Sequence, residues 1–281
     1  MKTNDELIDD LLTLAFAEDV GDGDATTLST IPAEEMGRQR LIVKEEGILA
    51  GVRIARKVFD KFDPSLKMTV MIDDGAHVKP GDVAFVVEGP VRSLLQTERI
   101  MLNIMQRMSG IATMTARYQS ELNGLKTKVL DTRKTTPGMR ILEKEAVKIG
   151  GGENHRIGLF DMILIKDNHV DFAGGIPQAV AAAKKYCADN GKNLKIELEV
   201  RNAAEIDQAL EAGVDRIMLD NFTPERTREA VKQIAGRCEI ESSGGITLDT
   251  LRHYGECGVD YISVGALTHS VKGLDMSFKA C

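Results

Sequence analysis

The stretch "EAGVDRIMLD", Glu211–Asp220, decides the fold, and "ECGVDYISVG", Glu256–Gly265, echoes it. Each runs from the tail of a helical segment through a glycine turn into a short apolar β-like run that ends on a polar or glycine residue. Outward from this pair, similar runs occur at "KVLDT", "FDMILIK", "LKIELEV" and "CEIESSG". Helical segments such as "PQAVAAAKKYCADNG", "AAEIDQALEAG" and "PERTREAVKQIAG" separate most of them. The pattern predicts successive βα units with parallel strands. Their short, regular spacing, with no dinucleotide glycine fingerprint near the first strand, favours a barrel over an open two-sided sheet. A full eight-stranded barrel takes about 250 residues, so this one is expected to be incomplete or finished by unusual elements.

The N-terminal part reads differently. "DELIDDLLTLAFAE" places Leu7, Ile8, Leu11, Leu12, Leu14 and Ala15 at helical spacing, and the "EDVGDGDATT" that follows reads as a capped turn. Its aspartates resemble a calcium loop, but the twelve-residue ligand pattern is missing. Between Arg38 and Gly89 short apolar runs alternate with turns around a helix "VRIARKVFDKF", which predicts a small α+β domain with an antiparallel sheet. A long methionine-rich helix follows, read as buried core or subunit interface, with Arg99 standing out in it. The expected divisions are an N-terminal domain over 1–112, a barrel domain over 113–270, and a segment over 271–281 that returns to the N-terminal domain.

Composition narrows the function. A net charge of −7 argues against a general nucleic-acid binder. No run approaches a membrane span, the first residues are polar, and the four cysteines lack metal-ligand or disulfide-framework spacing. A cytoplasmic protein with free thiols is expected.

In a βα barrel the chemistry sits at the C-terminal ends of the strands. There the sequence puts Arg133 and Lys134, then Lys166, then Glu199, then Asp220, then Ser243, Gly244 and Gly245, and last Gly265 and Ala266. A separate "NHR" adds His155 and Arg156 to a cationic set suited to a ligand with several carboxylates or phosphates. Glu199 and Asp220 form an opposing acidic set, which makes sense beside a polyanion if Mg2+ lies between. Glu197 has the same parity but lies one pleat deeper, and ranks second. The glycine turns can aim N–H groups at a phosphate. The implied substrate carries a phosphate at one end and a magnesium-bound polyphosphate at the other. Lys166 is also open to reading as a Schiff-base lysine.

The stretches "EDVGDGDATT", "ERIMLNIMQRMSGIAT", "DTRKTTPGMR", "KIGGGENHRIGLFDMILIKDNH", "ELEV", "IMLDNF", "ESSGGI" and "ISVGALTHS" resemble, in order and spacing, the quinolinate phosphoribosyltransferase family. The resemblance covers nearly the whole chain. It implies an N-terminal α/β sandwich followed by an open, irregular α/β barrel with parallel strands. It also implies transfer of phosphoribosyl from phosphoribosyl pyrophosphate to quinolinate, with nicotinate mononucleotide, pyrophosphate and carbon dioxide as products of a step in de novo NAD biosynthesis. Under it, Arg133, Lys134, His155, Arg156 and Lys166 wall the quinolinate pocket, and Lys134, Lys166, Glu199 and Asp220 carry the catalysis. Glu199 and Asp220 serve the ribose and Mg2+, while Ser243, Gly244, Gly245, Gly265, Ala266 and His269 hold the 5-phosphate. Arg99 enters the neighbouring site of a homodimer with shared active sites, and a hexamer is left open. The rivals are a paralogue of the same fold with another anionic substrate, a Schiff-base aldolase using Lys166, and a ligand-binding protein without turnover.

Overall fold

A computed structural model describes residues 2–281. The chain begins with α1 (Asn4–Asp19), α2 (Ala25–Thr30), β1 (Met36–Val43), β2 (Gly47–Ile48), α3 (Val52–Phe62), β3 (Lys67–Val70), β4 (His77–Val78), β5 (Val83–Pro90) and the long α4 (Val91–Glu121). It continues with β6 (Lys128–Leu130), α5 (Arg140–Ile149), β7 (Ile163–Ile165), α6 (Asp167–Ala173), α7 (Ile176–Asp189), β8 (Ile196–Val200), α8 (Ala203–Ala212) and β9 (Arg216–Asp220). The last elements are α9 (Pro224–Ile234), β10 (Glu239–Ser243), α10 (Leu248–Gly255), β11 (Tyr261–Ser263), α11 (Ala266–His269) and β12 (Met276–Ala280).

The chain divides into two compact units. The first takes the described residues up to Ala116 with Thr135–Gly151 and Leu267–Cys281; the second takes Arg117–Lys134 and Gly152–Ala266. This departs from the boundaries read at 112 and 270, which kept residues 135–151 with the barrel. The reason is packing: α5 buries Leu142, Ala146 and Val147 in the first unit, and Gly150 then passes so close to α4 that a Cβ would lie 2.3 Å from the Ala112 carbonyl.

In the first unit four strands form an antiparallel sheet in the order β12-β1-β5-β3, and β2 and β4 form a separate ribbon. α3 turns Ile54, Ala55, Val58 and Phe59 inward. Phe59, Phe85 on β5 and Phe278 on β12 meet with ring centroids 6.1 to 6.2 Å apart, an aromatic cluster within ordinary contact range. Met101, Met105 and Met108 on α4 are fully buried, so the methionine stripe is core. α1 opens with a capping box between Thr3 and Glu6 but buries only Ile8 and Leu12, leaving Leu7 and Leu14 exposed. The "GDGDATT" turn is a cap: Asp24 Oδ1 accepts from the Thr26 and Thr27 N–H groups at 3.0 and 3.1 Å.

The second unit holds a six-stranded, all-parallel sheet in the order β6-β11-β10-β9-β8-β7. This order is cyclic, because the first strand in sequence lies beside the last. Among the described residues β6 and β7 do not pair; at that edge Leu130 makes an isolated parallel bridge to Glu153. The sheet is therefore an open, irregular barrel wall. Register fixes which side chains share its face. Glu197 lies beside Arg216 and Arg216 beside Glu239; one pleat on, Glu199 lies beside Met218 and Met218 beside Glu241; Asp220 lies beside Ser243. Polar residues thus line one face in successive rungs toward the strand ends.

Candidate active site

At the exit of β6, Asp131 is fully buried and its Oδ1 accepts the His155 N–H at 2.9 Å. Arg133 and Lys134 follow on exposed backbone, and the Lys134 N–H closes a short turn onto Thr132 Oγ1 at 3.0 Å. The next two residues are occupied by the protein. Thr135 Oγ1 accepts from Arg140 Nε at 3.0 Å, and the Thr136 N–H donates to Glu143 Oε2 at 3.2 Å.

Arg156 is half-buried, with Nη1 3.4 Å from the Met162 carbonyl. The loop after it is shaped by Asp161, whose carboxylate accepts the Ile157 and Gly158 N–H groups at 2.7 and 2.8 Å. Burial, and then the positive charge of Arg133, hold the Arg156 guanidinium below its ordinary value, while Glu197 and Asp161 act in the opposite sense. A guanidinium disfavoured by burial and by a second cation favours an anionic partner.

Lys166 follows β7 and Glu199 lies near the end of β8, next in register after Ile165 and Leu198. Lys166 Nζ stands 2.9 Å from Glu199 Oε2, and the lysine N–H donates to His169 Nδ1 at 3.0 Å to cap α6. An ammonium seated on a carboxylate at a strand mouth differs from the apolar lysine pocket that Schiff-base chemistry uses. On β9, Asp220 Oδ2 accepts from Asn221 Nδ2 at 2.6 Å. Asn221 adopts a left-handed conformation, φ 56°, and its N–H donates to the Ser243 carbonyl at 2.9 Å, tying β9 to β10. Gly244 and Gly245 also have left-handed φ, 99° and 62°, which opens the turn after β10. Gly265 and Ala266 follow β11, where the Val264 N–H donates to the Leu130 carbonyl at 2.9 Å. Glu199 and Asp220 supply hard oxygen donors on one face of neighbouring strands, a donor set that would suit Mg2+.

The structure alters the reading of His155. It is buried at 8% exposure, and both ring nitrogens face protein. Nδ1 accepts the Arg156 N–H at 2.7 Å; Nε2 lies 2.9 Å from Glu197 Oε2 and 3.4 Å from Glu241 Oε2, though out of line for a straight ring N–H hydrogen bond. His155 is thus buried, with its Nδ1 taken by the Arg156 backbone. Glu197 and Glu241 are both fully buried. Burial pushes the Glu197 carboxyl up to about 7, and burial with Glu197 beside it pushes Glu241 up to about 8. Arg216 Nη1 reaches Glu241 Oε2 at 3.2 Å, Nη2 reaches Glu239 Oε2 at 2.9 Å, and the guanidinium lies 4.2 Å from the Tyr261 ring centroid. Sequence reading passed over Glu241 and Arg216, and read Asn221 only as a residue closing its strand with Asp220. The signal for the first two was present as charged residues alternating, at strand period, with the apolar residues of "DRIMLD" and "CEIESS".

Arg99 and His269 belong to the first unit. Arg99 is exposed on α4 between the buried Thr97 and Ile100; His269, also exposed, closes α11 with Nδ1 against Ser270 Oγ.

Cations and carboxylates gathered at the C-terminal ends of parallel barrel strands define an enzyme of α/β-barrel type that handles a polyanionic small molecule. The comparisons make this specific. The family model described as quinolinate phosphoribosyl transferase, N-terminal domain, matches residues 24–109, and the model of its C-terminal domain matches residues 111–279. The chain is 44% identical over 285 residues to the quinolinate phosphoribosyltransferase (decarboxylating) 1b of Nicotiana tabacum, covering 96% of this chain and 81% of that protein. It is 43% identical over 267 residues to a probable nicotinate-nucleotide pyrophosphorylase (carboxylating) of Bacillus subtilis, covering 95% and 91%. The solved nicotinate-nucleotide pyrophosphorylase of Francisella tularensis superposes with a TM-score of 0.93 at 40% identity, over 100% of this chain and 98% of that one. The chain belongs to the quinolinate phosphoribosyltransferase family.

Proposed function

We propose that this protein transfers phosphoribosyl from phosphoribosyl pyrophosphate to quinolinate, releasing pyrophosphate and carbon dioxide and leaving nicotinate mononucleotide for NAD biosynthesis. The observation that carries the reading is charge of both signs at the strand ends: Lys166 Nζ meets Glu199 Oε2 at 2.9 Å, Asp220 ends β9, and Arg133 and Lys134 follow β6. Family membership supports the same substrates.

The pyridine nitrogen displaces pyrophosphate at the ribose anomeric carbon, where positive charge develops. Glu199 and Asp220, at neighbouring strand ends, stabilise that charge. Mg2+, when bound at these two carboxylates, neutralises the leaving group. Lys166, already seated on Glu199, spans the two sets of charge. Once the glycosidic bond has formed, the ring nitrogen is cationic. The 2-carboxylate leaves as carbon dioxide, the electron pair stays on the ring carbon beside that nitrogen, and a proton then adds there. Arg133, Lys134, Arg156 and Lys166 orient the dianion until this happens. The turns at Ser243–Gly245 and at Gly265, Ala266 and His269 receive the 5-phosphate. Arg99, exposed on its helix, reaches the site of a second copy in a homodimer with shared sites; His155 acts from within the wall. A cytoplasmic location fits the four free cysteines among the described residues, and among those residues no helix is long and apolar enough to cross a membrane.

The test is pyrophosphate release with quinolinate. It should need both phosphoribosyl pyrophosphate and magnesium. Turnover with nicotinate in its place, or with neither acid, overturns the assignment, and borohydride trapping of substrate on Lys166 points instead to an aldolase.

A further inference from the structure

The barrel wall contains a charged cluster that the proposed reaction does not use. Barrel interiors are ordinarily filled by branched apolar side chains. Here Glu197, Arg216 and Glu241 stand on adjacent strands, each at most 7% exposed, while the flanking Ile196, Leu198, Ile217 and Ile240 turn to the opposite face of the sheet. Well-packed apolar residues would often serve stability as well as such a cluster or better, so its presence asks for another account. The geometry supplies one. Arg216 holds Glu241 at 3.2 Å, and the Glu197 and Glu241 carboxylates lie 2.9 and 3.4 Å from His155 Nε2. The opposite ring nitrogen accepts the Arg156 N–H at 2.7 Å, and the His155 N–H is held by Asp131 at 2.9 Å.

We propose that Glu197, Glu241 and Arg216 are positioning residues, which fix the His155 ring so that its Nδ1 pins the backbone of Arg156 and sets the direction of that guanidinium. Because Nδ1 accepts, the ring proton lies on Nε2, facing the two carboxylates. His155 is therefore held by its surroundings in one tautomer and one orientation. The cluster acts on the acid-binding half of the site and not on the phosphoribosyl half. The kinetic part of the proposal rests on the quinolinate reading above; the His155 tautomer does not.

The experiment pairs kinetics with spectroscopy. Glu241→Leu and Glu197→Leu should raise the KM for quinolinate by about tenfold, as a misplaced binding group does. The KM for phosphoribosyl pyrophosphate should stay unchanged, and the isosteric Glu241→Gln and Glu197→Gln should recover most of the loss. A two-bond nitrogen–proton correlation spectrum of the wild type, with His155 assigned from His155→Gln, should show the Nε2–H tautomer. A wild-type Nδ1–H pattern overturns the proposal. So do equal changes in both KM values, unchanged kinetics in the Leu variants, or failure of Gln to rescue. Stoichiometric metal retained by the purified wild type and lost in Glu241→Gln would also overturn it, since the three groups would then be ligands. If the wild type does not turn over quinolinate, the function reading fails by itself, and the tautomer spectrum decides the positioning of His155 alone.

Discussion

Gly244 faces Asn221 at a distance that admits no side chain: a Cβ on Gly244 would lie 2.2 Å from Asn221 Oδ1 and 2.9 Å from the Asn221 backbone nitrogen. The same glycine has φ 99°, outside the range that other residues adopt readily. Both constraints fall where β9 and β10 end, at the turn proposed to receive the 5-phosphate. Gly244→Ala should cost about 1–3 kcal/mol of stability from backbone strain and raise the KM for phosphoribosyl pyrophosphate more than that for quinolinate. Thermal melting and initial rates check this. Asn221→Gly in the same background relieves only the side-chain part of the clash, so it should restore part of the stability.

Lys166 and Glu199 share one ion pair, and Glu199 is only 11% exposed by side chain. Removing the lysine leaves a largely buried carboxylate without that counter-charge. Lys166→Met and Glu199→Gln should each lower kcat/KM by about a hundredfold, and the double variant should lose much less than the product of the two, as residues acting together do. Full additivity in the double-mutant cycle would show that the pair is not a functional unit.

The Glu241 carboxyl is raised by burial from 4.5 to about 8, so the folded state binds a proton that the unfolded chain gives up. Stability from this group is fully present below pH 4.5 and is lost as pH rises toward about 8. Glu239 has the opposite sign, because Lys195 and Arg216 lower its carboxyl despite the burial that opposes them. Its contribution is lost only in acid, so the two windows separate. The melting temperature should fall as pH rises from weakly acidic to weakly alkaline, and Glu241→Gln should flatten the slope. A slope unchanged in the variant would remove Glu241 as its source.

If Arg99 completes the site of a partner copy, Arg99→Ala and Lys134→Ala are each nearly inactive, yet mixed protein recovers turnover. With equal amounts and free exchange, half the dimers are mixed and each has one intact site, about a quarter of wild-type activity. Recovery near zero, with subunit exchange verified by mass spectrometry, would count against shared sites.

Much of this was legible in the chain because parallel strands buried on both sides advertise themselves as apolar runs, and their ends as abrupt polarity. Lys166, Glu199 and Asp220 could be read from that change alone. The fate of "MRILEKEAVKI" could not: its helical spacing is plain, but nothing in residues 139–149 says that the helix belongs to the first unit and not to the second. Nor could parity alone separate Glu199 from Glu197, one at the mouth of the site and the other sealed behind His155. Register with the neighbouring strands decides that, and register is a tertiary property. Thr135 and Thr136 resemble ligand-binding residues in sequence, and only the positions of Arg140 and Glu143 reveal their protein partners.

The strand β12 pairs with β1 from Gln39–Ala280 through Val43–Met276 and contributes Phe278 to the core. During synthesis, then, the first unit cannot finish its sheet when its own helices and strands have emerged. It must wait, with one edge of β1 open, until the whole barrel has left the ribosome, so the unit begun first is completed last.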